Sequence, residues 1–328
     1  MNYFTKQKDR LVCNICSYYC KLKENQTGIC GVNKNIGEKI ECLVYGYISA
    51  LNIDPIEKKP LYHFLPSSKS LSLGTVGCNF RCSFCQNWQI SQTNNINKNN
   101  YFSPKDIVNI AIQKECESIS YTYNEPTIFY PYAKDIAVLA KEFGIKSVFV
   151  SNGFESKEVI DDFKGVIDAI NVDLKSFDEK YYKKSLGGDL NIVCDNLIRL
   201  KKNDIHTEIT TLIVPTKNDS AQELEKIVKF IKENLGVDTP WHISAFHPDY
   251  KELDINRTSN ESLQMAFDIA KSYGLNYVYR GNSNFRNETF CKNCGEVLIS
   301  REYFNVLDNS LKNGCCSKCN TKIYGVFK

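Results

Sequence analysis

The sequence predicts an α/β fold: a run of βα units forming a full or partial barrel or an open doubly wound sheet, with a small cysteine-rich module at each end. Three observations predict it. Short β-rich runs alternate with helical segments between residues 69 and 281. Several of those runs are nearly continuously apolar, the pattern of parallel strands buried on both faces. Close-set cysteines gather at both ends of the chain and just after the first of these strands.

In order, the strand expectations are "KSLSLGT" (69–75), "SISYTY" (118–123), "KSVFVSN" (146–152), "AINVDLK" (169–175), "TEITTLIV" (207–214), "WHISAF" (241–246) and "NYVYRG" (276–281). Each is rich in Val, Ile, Thr or aromatic residues and is bounded by polar or glycine-containing segments. Between them, "SPKDIVNIAIQKE" (103–115) starts with Ser103, Pro104 and Asp106, a capping-box signature with proline at the first helical position. "NDSAQELEKIVKFIKENLG" (218–236) carries Leu224, Ile227, Val228 and Ile231 at helical spacing and stops at Gly236. The ends differ in kind, combining cysteines, glycines and short strands such as "KIECLVYGYI" (39–48), as metal-stapled modules do. The division is therefore an N-terminal cysteine-rich module and lead-in over 1–66, a core over 67–282 and a C-terminal knuckle over 283–328.

Composition excludes several classes. With 42% hydrophobic and 24% charged residues the chain is not disordered, and 41 basic against 38 acidic residues give no electrostatic case for a nucleic-acid partner. No run approaches the roughly 20 apolar residues of a membrane span. "MNYFTKQKDRLVCNIC" has no signal-peptide core, so a cytoplasmic location is expected. In that reducing compartment 15 cysteines read as metal ligands, thiol chemistry or small core residues rather than disulfides. Cys42, Cys116 and Cys194 stand alone and read as core residues.

The chemistry concentrates in "GTVGCNFRCSFCQNWQI" (74–90), where Cys78, Cys82 and Cys85 supply three soft ligands, one short of a closed zinc or iron–sulfur site. Polar residues follow the other strands as well: "NEPT" (124–127), "SNG" (151–153), "DLK" (173–175), "PTKNDS" (215–220) and "HPDY" (247–250). In a βα architecture such strand ends share one rim, where ligands bind. An enzyme is expected rather than a scaffold.

The "GCNFRCSFCQN" stretch, with Phe84 before its third cysteine, resembles the CxxxCxxC signature of radical S-adenosylmethionine (SAM) enzymes. "DPIEKKPLYHF" (54–64), "SYTYNEPTIF" (120–129), "FVSNGF" (149–154), "NVDLKSF" (171–177), "WHISAFHPDYK" (241–251) and "YVYRGN" (277–282) extend the resemblance over nearly the whole chain, to the AmmeMemoRadiSam-system branch, which is similar to pyruvate formate-lyase activating enzymes. The resemblance implies a partial (β/α)6-type TIM barrel. It implies a [4Fe–4S] cluster on Cys78, Cys82 and Cys85 whose fourth iron takes SAM, and reductive cleavage of SAM to a 5′-deoxyadenosyl radical that abstracts hydrogen from a substrate. An oxidoreductase-type enzyme is thus expected, with no catalytic side chain required beyond the cluster and SAM sites.

Carried over by position, the resemblance implies that Asn124 and Glu125 meet the methionyl ammonium, although "NEP" departs from the glycine pair usual there and also reads as a helix cap. It implies that Ser151 and Asn152 bind the ribose, Asp173 and Lys175 line the pocket, Val214 packs on adenine and His247 approaches the nucleoside or substrate. The implied partners are a reductant such as ferredoxin or flavodoxin, and Memo-like and AMMECR1-like proteins. A glycyl radical activase is the alternative function, and a zinc-binding interaction module on a retained barrel is a third. Cys291, Cys294, Cys316 and Cys319, with Cys315 as an alternative to Cys316, have paired-knuckle spacing for zinc or a single iron. Cys13, Cys16, Cys20 and Cys30 are looser and suit zinc or an auxiliary cluster.

Overall fold

A computed structural model describes residues 2–328. The chain begins with an antiparallel sheet of β1 (Phe4–Gln7), β2 (Arg10–Cys13) and β3 (Lys21–Leu22), then a hairpin of β4 (Asn33–Ile36) and β5 (Lys39–Cys42). Gly37 and Glu38 turn that hairpin with φ of 57° and 60°, the left-handed values a two-residue hairpin loop requires.

β6 (Ala50–Pro55) then pairs antiparallel with β7 (Lys69–Gly74), and every further pairing in the sheet is parallel. The strands that follow are β8 (Ser118–Tyr121), β9 (Lys146–Ser151), β10 (Ala169–Asp173), β11 (His206–Ile213), β12 (Trp241–Ala245) and β13 (Val278–Gly281), hydrogen-bonded in chain order. β6 and β13 are the two edges, so the sheet is an incompletely closed barrel. β6 belongs to this sheet although it precedes residue 67, because it supplies the hydrogen-bonding partner that the outer edge of β7 would otherwise lack.

The connections hold α1 (Trp88–Ser91), α2 (Pro104–Gln113), α3 (Tyr130–Glu142), α4 (Lys157–Asp162), α5 (Glu179–Tyr181), α6 (Leu190–Lys202), α7 (Ala221–Phe230) and α8 (Asn260–Ser272). Six βα units thus lead to a seventh parallel strand. α2 has the expected capping box: Ser103 Oγ accepts from Asp106 N, and Asp106 Oδ2 accepts from Ser103 N at 2.8 Å. α7 buries Leu224, Ile227 and Val228 on one face, and the turn after it ends at Gly236 with φ 93°. No helix is long and apolar enough to cross a membrane.

Parallel strands put all their C-terminal ends on one rim. The opposite end, the floor, is plugged. Buried Glu208 on β11 accepts from the backbone N–H groups of Tyr62 (3.0 Å) and His63 (2.8 Å) and bonds the Nε2 atoms of His206 (3.0 Å) and His242 (2.6 Å). His63 in turn bonds Tyr279 Oη and the carbonyl of Tyr324, both at 2.6 Å. β14 (Asn287–Phe290), β15 (Val297–Glu302) and β16 (Asn305–Asn309) form a terminal antiparallel sheet, and the tail beyond it pairs at Val326 with His63 and Leu65.

Candidate active site

A cavity of about 260 Å³ opens at the rim, and the loop between β7 and α1 forms one of its walls. Cys78, Cys82 and Cys85 all line it, with Phe84 buried beside them. The loop is shaped to present sulfur. Gly77 has φ 90°, and a Cβ there would come within 2.7 Å of the Cys30 carbonyl, so only glycine fits that approach. Phe80 N donates to Cys78 Sγ at 3.3 Å, and Ser91 Oγ lies 3.1 Å from Cys85 Sγ.

These contacts suit thiolates bound to iron, whose properties depend on hydrogen bonds to sulfur. Spacing points the same way. Among the described residues, three or more potential ligand atoms lie within 4.8 Å of one another only in the C-terminal group, so the central trio is spread more widely than a single ion requires. A cubane gives each thiolate its own iron, and three thiols lining one cavity supply three of its four ligands. Burial pushes the Cys78 thiol well up and that of Cys82 to about 11, with the nearby Lys175 opposing at Cys82. Ligation must therefore displace protons.

The second wall comes from β8 and β9. Glu125 is buried: its Oε1 accepts from Thr127 N (3.0 Å), Thr127 Oγ1 (2.5 Å) and Ser151 Oγ (2.9 Å), and its Oε2 from Asn152 N (2.8 Å). It therefore caps the turn Pro126–Phe129 and also clamps the end of β9 to that of β8. Asn124 ties the cysteine loop down by accepting from Thr75 N (3.1 Å) and donating to Gly77 O (2.9 Å). Asn152 donates to Asn79 Oδ1 at 2.7 Å, while the buried Asn79 Nδ2 has no partner.

Ser151 Oγ also lies 2.5 Å from Glu155 Oε1 and accepts from Gly153 N. One hydroxyl proton serves one carboxylate, so the second contact needs a proton on a carboxyl group. Burial pushes both glutamates up, and the charge of Glu125 adds to the effect at Glu155. Ser151 Oγ bridges the two buried carboxyls.

Across the cavity stand Asp173 and Lys175, ion-paired at 2.7 Å, with Thr210, Leu212, Ser244 and Asn282. Burial opposes the charge on Lys175, but Asp173 and the Cys82 thiol hold its pKa above the usual lysine value. Thr210 Oγ1 is buried and unpartnered on this wall, a polar atom that asks for a bound group.

Seven of the residues expected from the sequence therefore face one cavity: Phe84, Asn124, Glu125, Ser151, Asn152, Asp173 and Lys175. Val214 is buried outside the lining, where its N–H donates to Asn218, and Leu212 is the apolar residue of β11 that lines the cavity. His247 is exposed at the mouth and bonds Gln86 at 3.0 Å. Sequence reasoning missed Thr210 and Leu212; their period-two spacing with Glu208 was the available signal.

The C-terminal cysteines form a different kind of site. Cys291, Cys294, Cys316 and Cys319 have all four sulfurs within 4.8 Å, with Cys291–Cys319 at 3.5 Å and Cys294–Cys316 at 3.7 Å. Four thiolates about 2.3 Å from one tetrahedral ion sit about 3.8 Å apart, so the arrangement suits a single zinc or iron. Cys316, not its neighbour Cys315, is the member. Its two knuckles match: Cys291 N donates to Glu296 O and Gly295 N to Cys291 O, as Cys316 N does to Thr321 O and Asn320 N to Cys316 O. In the N-terminal module Cys13, Cys16 and Cys30 are buried and Cys20 is half-buried.

Comparison with known proteins agrees with this geometry. Residues 72–231 match the family described as the radical SAM superfamily. An uncharacterised protein of Methanocaldococcus jannaschii is 40% identical over 98% of this chain and 97% of its own length. A protein of the same organism named as a glycyl-radical enzyme activating enzyme is 25% identical, over 63% of this chain and 78% of its own. The pyruvate formate-lyase-activating enzyme of Clostridium pasteurianum is 23% identical, over 56% and 83%. In fold, the SAM-bound structure of Streptococcus suis SuiB superposes with a TM-score of 0.52 at 15% identity, covering 69% of this chain and 52% of that one. The three-cysteine loop, the parallel strands that carry it and these relatives agree: the chain belongs to the radical SAM superfamily.

Proposed function

We propose that this enzyme binds a [4Fe–4S] cluster through Cys78, Cys82 and Cys85 and SAM along the ends of β8, β9 and β10, and that it abstracts hydrogen from a substrate held against β11 and β12. The observation that carries the reading is the convergence of three thiols and the polar ends of successive strands on one cavity. When bound, the cluster and SAM supply reductive cleavage to methionine and a 5′-deoxyadenosyl radical. The protein positions and shields. Glu125 and Asn124 fix the loop and strand ends, Lys175 supplies a buried cation, and Thr210 offers an unspent hydrogen bond to what lies opposite. The reading includes the AmmeMemoRadiSam type, with Memo-like and AMMECR1-like partners, a ferredoxin or flavodoxin reductant and a cytoplasmic setting that keeps 15 cysteines free.

The test is anaerobic incubation of the full chain with SAM and dithionite. Formation of 5′-deoxyadenosine is expected, and it should vanish in Cys82→Ala; undiminished product in that variant would sink the assignment. The names of the relatives favour a second reading, activation of a glycyl radical enzyme. It requires such an enzyme encoded nearby and a glycyl radical EPR signal when the two proteins are mixed with SAM and reductant.

A further inference from the structure

We propose that the side-chain amide of Asn79 donates a hydrogen bond to the cluster at its Cys78 corner and so raises the potential at which the cluster takes an electron. The inference rests on the proposed function, because it needs the cluster, and adds to it a tuning residue that is not a ligand.

The hydrogen bonds behind the cysteine loop settle which way this amide faces. Phe154 N donates to Asn152 Oδ1 at 3.1 Å, so the other end of that carboxamide, Nδ2, is the donor. It donates to Asn79 at 2.7 Å, which makes the contacted atom of Asn79 its oxygen. Turning the Asn79 amide over would set two N–H groups against each other, so Nδ2 is fixed as the free half. Asn79 is 1% exposed, and among the described residues this nitrogen has no partner. Asn124, the other buried asparagine that touches the loop, spends both ends: Oδ1 accepts from Thr75 N, and Nδ2 donates to Thr75 Oγ1 (3.0 Å) and Gly77 O. A buried donor with no acceptor among the protein's own atoms points to a ligand.

Position identifies the acceptor. Asn79 follows Cys78 directly, and Cys78 Sγ lies 3.9 Å from Asn79 Oδ1, so the carboxamide head sits beside that sulfur with its nitrogen one amide width away. The sulfur already takes Phe80 N at 3.3 Å. As a thiol, Cys78 can donate its proton to Oδ1; as a thiolate on iron it can only accept, and Nδ2 is the donor of that head. The electron comes from the low-potential reductant of the proposed function and makes the cluster more negative within a buried site. A donor to sulfur favours that reduced form, so removing the donor makes reduction harder. No proton or heavy atom is transferred.

The test is a potentiometric titration of the anaerobically purified full chain without SAM, followed by the EPR signal of the reduced cluster. In Asn79→Leu, which keeps the bulk and loses the amide, the ratio of reduced to oxidised cluster at a fixed potential should fall at least tenfold, a midpoint lower by about 59 mV or more. A smaller shift overturns the inference. Asn152→Leu removes the strut from which Asn79 accepts but leaves Nδ2 present, and it should move the midpoint less; an equal shift overturns the inference, because Asn79 would then only brace the loop. If Asn79→Leu takes up no cluster, the unsubstituted chain decides. Grown with asparagine isotopically labelled at the side-chain nitrogen, it should show a hyperfine coupling from that nitrogen to the reduced cluster in pulsed EPR, and its absence overturns the inference. Acid-labile sulfide that disappears when Cys78, Cys82 and Cys85 are all changed to Ala separates the two failures. None in the unsubstituted chain overturns the proposed function and this inference with it; full sulfide with an unmoved midpoint overturns this inference alone.

Discussion

Glu208 and Thr210 stand two residues apart on β11, and they belong to opposite ends of the barrel. Glu208, at the floor, has four partners; Thr210 Oγ1, at the rim, has none. The cysteines repeat the contrast. The tetrad beyond the floor is closed, with four sulfurs gathered for one ion, whereas the rim trio is spread and faces a cavity. The floor is built to be finished by folding, and the rim to be finished by ligands.

The sharpest way to break that comparison is to remove one cysteine from each end. Cys316→Ser opens the tetrad, which staples a terminal module with a small apolar cluster of its own. It should release the bound metal and lower stability by several kcal/mol, because structural metal binding is folding free energy. Cys82→Ala should abolish 5′-deoxyadenosine formation while shifting stability by about 1 kcal/mol. Denaturant midpoints and product assays on both variants decide. Comparable stability losses would show that the two sites do not divide labour in this way.

Next in size is the acid response of the floor. Burial, with help from Arg301 and His206, lowers the His63 pKa to about 4, while Glu208 pulls the other way. The unfolded chain protonates this residue at its ordinary value of about 6.5. Between those values the unfolded state holds more protons, so stability is full above pH 6.5 and falls as pH drops towards 4, by about 3 kcal/mol. Glu208 is held below the usual carboxylate range against its burial by His206 and His242, and its contribution is lost on further acidification. A His63→Phe chain should be less stable at neutral pH yet lose less between pH 6.5 and 4; the same loss in both chains would put the titration elsewhere.

The fold was legible where one segment carried its own signal. The seven strand runs and the Ser103 and Gly236 helix boundaries appear within a few residues of expectation, because alternation and capping are local properties. The partner of β6 was not legible, since edge pairing depends on what β7 leaves open. In the site, Cys78-x3-Cys82-x2-Cys85 announced itself by spacing. Glu125 was readable as a strand-end carboxylate, but not as a clamp joined to Glu155, because that depends on Ser151 reaching both.

That clamp gives a smaller effect with a definite asymmetry. Glu125 accepts four donors, so Glu125→Gln sets an amide N–H against another N–H group and leaves buried donors unpaired. Each such loss costs about 1–3 kcal/mol, and a fall of about a hundredfold in 5′-deoxyadenosine formation is expected. Glu155→Gln replaces a carboxyl whose one side-chain partner is Ser151, and its amide can meet that hydroxyl as well. It should stay within about threefold of the unsubstituted enzyme. Equal losses in the two variants would mean that the two carboxyls carry the same charge and weight in the clamp.

The smallest effect belongs to the mouth. Residues 247–252 are fastened over the cysteine loop by Lys251 N to Ser83 O (3.0 Å), Ser83 Oγ to Glu252 (2.6 Å), Gln86 to His247 (3.0 Å) and Trp88 Nε1 to Asp249 (3.2 Å). Trp88 also stacks on Tyr250, with centroids 5.3 Å apart and planes 15° from parallel. Such a stack contributes about 1 kcal/mol beyond its buried area. With the other fastenings intact, Trp88→Ala should raise the KM for SAM about fivefold and leave kcat nearly unchanged, because the reacting wall lies deeper, at Cys82 and Lys175. Trp88→Phe keeps the stack and loses only the Asp249 bond. If Phe restores the KM, the ring holds the segment down; if it behaves like Ala, the hydrogen bond does, and the mouth is fastened by the same polar currency as the floor.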